Sequence, residues 1–181
     1  MPLSVMNTNK KRIYVAFYTR LRSSGDTDLF HDGIVLLPKP GQTDQAWRFH
    51  AINNRPVVVD GKQTLVWQFE PLQIRNRTVQ LKALLYLGKL SNNISVETLT
   101  AILGEIPVVQ GNPDWKCHTW TTAAIRKLQD YGILEIQGVA AEQILEAGTS
   151  FATLAEVDFQ KPVPTCNCQG EEIESGIPDK L

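Results

Sequence analysis

The spacing of apolar residues changes once along this chain, and that switch limits the folds open to it. From Arg12 to about Leu90 hydrophobic residues alternate. In "RIYVAFYTR", Ile13, Val15 and Phe17 share one face of an extended strand while Tyr14, Ala16 and Tyr18 share the other. "LFHDGIVLLPKP", "AWRFHAIN", "PVVVD", "TLVWQFE" and "TVQLKALLYLGKL" continue as candidate strands. Turn-rich "SSGDTD" and "KPGQTD" punctuate the first three, and Asp60-Gly61 reads as a tight hairpin turn.

Beyond Ser95 the period becomes helical. "SVETLTAILGEI" offers Ser95 as N-cap, then Val96, Leu99, Ile102 and Leu103 at helical spacing, with Pro107 past the end. "NPDWKCHTWTTAAIRKLQDYG" is a loop feeding a second helix that Gly132 stops, with Asn112 or Asp114 as alternative caps. "AAEQILEAGTSFATLAEV" predicts a third helix with Gly148 as its weak point. Strands first and helices after imply an α+β fold: an antiparallel sheet with helices packed on one side. Residues 1–159 read as a single domain. The Pro-rich, mildly acidic 160–181 reads as a mobile tail.

At 181 residues, with 43% hydrophobic and 20% charged residues, the chain is long enough for a core without disulfide or metal staples. A net charge of −1 supplies no field to gather nucleic acid or acidic membrane, and no apolar run reaches membrane-spanning length. "MPLSVMNTNKKR" lacks the apolar stretch of a secretory signal, and three cysteines make a poor disulfide framework. A cytoplasmic setting is expected, and the sequons at Asn76 and Asn93 then read as chance matches.

Three histidines carry most of the chemistry on offer. His31 shares a strand face with Leu29, Gly33, Val35 and Leu37; His50 points with Arg48 and Ile52, opposite Trp47 and Phe49. Consecutive antiparallel strands would bring these two imidazoles within reach of each other. On the second helix, Cys117 heads the apolar stripe Trp120, Thr121, Ala124, Ile125 and Leu128, so its thiol should face the body of the protein near a helix N-terminus. A thiol on a helix packed against a histidine-bearing sheet is the layout of a nucleophilic catalyst; alone, Cys117 would equally suit a buried structural thiol. Neighbours Cys117 and His118 diverge on a helix, and "CNC" at Cys166 and Cys168 matches no common zinc spacing, so neither a metal nor another cofactor is expected.

The order of "FHDGIVLLP", "WRFH" and "KCHTW" resembles the permuted papain-like fold of the NlpC-type cysteine hydrolases. The nearest branch is the lecithin–retinol acyltransferase-like and HRAS-like-suppressor group. A fungal family with His-Trp-Ala-Leu and Asn-Cys-Arg-x-Trp motifs is closer still. The resemblance covers about Arg12 to Gly132. It implies Cys117 as nucleophile, His31 as its base and His50 as the orienting third member, and it gives His118 no catalytic counterpart. Asp32, Asn53 or Glu70 are alternative orienting groups. Trp115, Lys116, Tyr18 and Asp32 are the candidate substrate-contacting residues. Two positions depart from the pattern: Lys116 stands for the usual Asn, and Asp32-Gly33 for Trp-Ala. The branch's membrane-anchoring segment has no counterpart. The implied activity is a cysteine hydrolase, acyltransferase or cyclase acting on a small-molecule or peptide acyl substrate, for instance in a fungal biosynthetic step. A non-catalytic module that binds a ligand or peptide in the same cleft is the competing expectation.

Overall fold

The computed structural model describes residues 11–20, 28–39 and 43–178. Most of "SSGDTD", the middle of "KPGQTD", the N-terminal decapeptide and the last three residues lie outside that range. Seven strands precede the helices: β1 (Arg12–Thr19), β2 (Phe30–Leu37), β3 (Gln45–Ile52), β4 (Pro56–Val59), β5 (Lys62–Leu65), β6 (Gln68–Arg75) and β7 (Leu81–Lys89). Then come α1 (Val96–Gly104), α2 (Cys117–Asp130) and α3 (Ala141–Leu154), followed by the short β8 (Thr165–Cys166). The class is α+β. The main sheet runs β6-β3-β2-β1-β7-β8, and β4 and β5 form a separate hairpin turned by Asp60 and Gly61, both at positive φ. The sheet is mixed rather than purely antiparallel, because β8 joins β7 in parallel.

Alternation sorts the strands as expected. Ile13, Val15, Phe17, Ile34, Leu36, Phe49 and Leu85 face the three helices and build the larger core with Leu99, Leu103, Trp120, Ile125 and Leu128. Tyr14, Ala16, Tyr18, Val35, Leu37 and Leu84 face the other way. Burying one such side chain stabilises a fold by about 1.5–3 kcal/mol, so neither face can stay wet. Helices cover the first. On the second, Val163 and Ile177 are buried among the strand residues. The stretch after Gln160 is therefore not a mobile tail: it lies against the sheet, through β8 and through Val163 N–H donating to the Ile177 carbonyl.

Ser95 caps α1 as its spacing predicts, its Oγ accepting from the Thr98 N–H. For α2 neither Asn112 nor Asp114 is the cap. Lys116 holds that position with extended backbone, and its N–H donates to the Thr119 hydroxyl. Cys117 is thus the first residue of the helix. Gly148 is no weak point: a β-carbon there would sit 2.8 Å from Leu85 and 2.9 Å from Phe17, so glycine lets α3 lie close on the sheet.

Candidate functional site

Two ionisable clusters sit at the same end of β2, one on each face of the sheet. His31 lies opposite Tyr18 in the β1–β2 register, and Asp32 opposite Phe17. Successive strand residues point to opposite faces. His31 therefore belongs to the face away from the helices, and Asp32 to the face that α2 covers.

On the helix side the Cys117 thiol is 1% exposed. β2 and β3 pair only over Ile34, Val35 and Leu36, and beyond that stretch the Asp32 backbone N–H faces the sulfur. Burial, and then the Asp32 carboxylate, push the thiol pKa up to about 12, outweighing the backbone donors of Asp32 and His118. Asp32 is itself buried; its Oδ2 lies 3.0 Å from His118 Nδ1, while its Oδ1 is buried without a hydrogen-bond partner. That hydrogen bond raises the His118 pKa. Cys117, His118, Asp32, Asp28, Lys116 and Thr149 line a cavity of about 390 Å³, across which Lys116 Nζ meets Asp28 at 2.9 Å.

On the opposite face His31 Nε2 lies 2.6 Å from His50 Nδ1, and His50 Nε2 lies 3.0 Å from Glu70 Oε1. Glu70 also pairs with Arg55. A carboxylate accepts, so the proton belongs on His50 Nε2; a neutral His50 then accepts at Nδ1 from the His31 Nε2–H. That ordering leaves His31 Nδ1 as the basic nitrogen of the chain. Burial lowers both imidazoles to about 3, His50 adding to the effect on His31 and Arg48 to that on His50. Gly33 permits the arrangement: a β-carbon there would lie 2.8 Å from His50 Cβ and 2.9 Å from the Phe49 carbonyl oxygen.

Residues 10–156 match a family of unknown function, DUF6914. The chain belongs to that family. No curated protein and no solved structure matches it. The DUF6914 region runs from the start of β1 to just past α3, so it carries both clusters and stops short of the segment that covers the second face.

Of the sequence-predicted residues, the structure brings His31 and His50 together and adds Glu70, one of the alternative orienting groups, behind them. It does not join Cys117 to either histidine; no hydrogen bond links the thiol to His31. Lys116 and Asp32 line the thiol cavity and Tyr18 lines the imidazole cavity. Trp115 lines neither: it is buried edge-on against Trp67, 5.1 Å between ring centroids. The Asp32–His118 pair is the feature that sequence reasoning missed. Its signal was a carboxylate on the same strand face as Ile34 and Leu36, which needs a buried partner. Among the described residues no three His, Cys, Asp or Glu side chains converge as a metal site, and no helix is long and apolar enough to cross a membrane.

Proposed function

We propose that this DUF6914 chain is a cysteine-dependent hydrolase or acyl-transfer enzyme of permuted papain-like type, acting on a small-molecule or peptide acyl substrate. The observation that carries the reading is the Glu70–His50–His31 chain. It ends on the acceptor nitrogen His31 Nδ1, and His31 is followed in β2 by Asp32, whose amide faces Cys117 from the other side of the strand. His31 Nδ1 takes the thiol proton, the sulfur bonds to the substrate carbonyl carbon, and His31 returns the proton to the leaving group. Water or another nucleophile then releases the acyl group from sulfur. Backbone N–H groups at the start of α2 are the donors nearest the developing oxyanion. Thiol and imidazole lie on opposite faces of β2, so this transfer requires the end of the strand that carries His31 and Asp32 to turn over when substrate binds. The same movement must relieve the burial that holds the imidazole at about 3 and the thiol at about 12.

One observation favours a second reading, a module that binds its ligand without chemistry. The thiol is buried, raised to about 12 and not bonded to His31. Mass spectrometry of the intact protein after exposure to a panel of activated acyl esters separates the two. The enzyme reading expects an acyl adduct on Cys117 that Cys117→Ala abolishes and His31→Ala slows by about 100-fold or more. Absence of any adduct, with alkylation rates equal in wild type and His31→Ala, leaves the binding module.

A further inference from the structure

The cavity on the imidazole side has a chemistry of its own. It measures about 350 Å³, within the range of small-molecule sites, and its walls include Tyr18, Trp67, Asn53, His31 and Arg48. Two arginines line it, Arg20 and Arg48, and among the described residues no Asp or Glu does. Cys117 does not line it, although His31, the proposed base, does, so binding here can be read apart from the thiol.

Arg48 is the unusual member. It sits in the middle of β3, opposite Val35 on β2 and Leu72 on β6, so neither cross-strand neighbour can neutralise it. Its guanidinium lies 5.1 Å from the Tyr18 ring centroid, a cation–π contact. Arg20 has Asp28 as an ion-pair partner, at 3.4 Å, but Arg48 makes no ion pair with any described carboxylate. Its Nε–H is buried without a hydrogen-bond partner. A buried charged donor left unpaired in a native structure asks for an acceptor. The Nε–H and the neighbouring Nη–H present parallel donors that match the two oxygens of a carboxylate.

We propose that this cavity binds the carboxylate of a small organic acid, with Arg48 as its anchor and Tyr18 and Trp67 as the walls for its apolar body. Carboxylate is favoured over phosphate because two oxygens in one plane fit the edge that carries the unpartnered Nε–H. Arg20 is already paired with Asp28, which leaves a doubly charged group one guanidinium without an ion pair among the described residues of the lining. Asn53, Asn54 and Gln80 line the rest of the cavity and supply neutral hydrogen-bonding groups.

Benzoate is a suitable probe, and its neutral isostere benzamide is the control. In an NMR titration of the full chain, benzoate is expected to shift the Arg48 Nε–H and Trp67 indole signals saturably. Benzamide should bind roughly ten- to a hundredfold more weakly, and Arg48→Gln should weaken benzoate by a similar factor. Cys117→Ala should bind benzoate like wild type, which separates this site from the thiol reading. The proposal is overturned if benzoate gives no saturable shift, if benzamide binds as tightly, or if inorganic phosphate displaces benzoate at lower concentration. A folded Arg48→Gln with undiminished affinity also overturns it. Should that variant fail to fold, the benzoate–benzamide comparison on wild type still decides.

Discussion

The two faces of the six-stranded sheet meet one burial requirement in different ways. On one, α1, α2 and α3 cover the strands and bring Cys117 to Asp32. On the other, a segment that doubles back on itself buries Val163 and Ile177 with Tyr14, Ala16, Val35 and Leu37, and His31, His50 and Arg48 line a cavity on that face. The electrostatics differ as well. The helix-side cavity is lined by Asp28, Asp32 and Asp114 with one lysine and His118; the other is lined by two arginines and two neutral imidazoles. Because His31 and Asp32 are adjacent, β2 divides a would-be thiol–imidazole pair between its two sides. A strand one residue thick is enough to give thiol and imidazole separate solvents and separate charges.

Removing the cover from one face is the harshest test of this division. A chain ending at Gln160 loses Val163 and Ile177, which bury about 1.5–3 kcal/mol of stabilisation each, so about 3–6 kcal/mol together. The urea midpoint should fall accordingly, and a dye that binds exposed apolar surface should bind the shortened chain. An unchanged midpoint would mean that the second face is closed by something other than this segment.

The same segment shows where sequence reading stopped. Strand periodicity, the Ser95 cap, the Asp60-Gly61 turn and the partition of each strand into two faces were all legible, because each is local. The pairing of His31 with His50 followed from consecutive antiparallel strands. The covering segment was not legible: Val163 and Ile177 are lone apolar residues among prolines and acids, and nothing in their spacing announces a sheet to lie on. The separation of Cys117 from His31 was hidden for a related reason. Both faces of β1 and β2 are apolar, so the alternation says which residues travel together and not which face the helices take. Asp32 was readable in principle, since it shares a face with Ile34 and Leu36, but the identity of its partner depended on where α2 docks.

Acid should then distinguish the faces. His31 and His50 are lowered to about 3 by burial, while in the unfolded chain each titrates near the ordinary value of about 6.5. Between those values the unfolded state binds protons that the folded state refuses. Stability from this pair is therefore full above about pH 6.5 and declines as pH falls toward about 3, by up to about 1.4 kcal/mol per pH unit for each histidine. His118 runs the other way: its pKa is raised, so its contribution is full below about pH 6.5 and fades as pH rises through the folded value. Half-exposed, that pair is worth under about 1 kcal/mol, too little to mask the acid limb. Urea midpoints measured from pH 7 to 4 should fall steeply for wild type and more gently for a His31→Gln, His50→Gln double variant. Parallel curves would mean that the imidazoles are not held neutral by burial on this face.

A smaller effect probes the helix side and needs no loss of packing. Asp32→Asn keeps the shape of the side chain and removes its charge. Asp32 comes second only to burial in raising the Cys117 thiol, so the variant should lower that pKa while burial still holds it above the ordinary value. Each unit recovered gives about ten times more thiolate at a fixed pH below the pKa. A partly screened charge acting through the protein should yield roughly three- to tenfold faster alkylation of Cys117 at pH 7.5. His118, deprived of its carboxylate, should titrate lower in the same variant, which NMR of the ring protons can follow. The two readouts share a cause, so they must move together. Faster alkylation with an unmoved His118 would point to a loosened helix start rather than to charge. A shifted His118 with unchanged alkylation would show that burial alone sets the thiol, and that the carboxylate is there for His118.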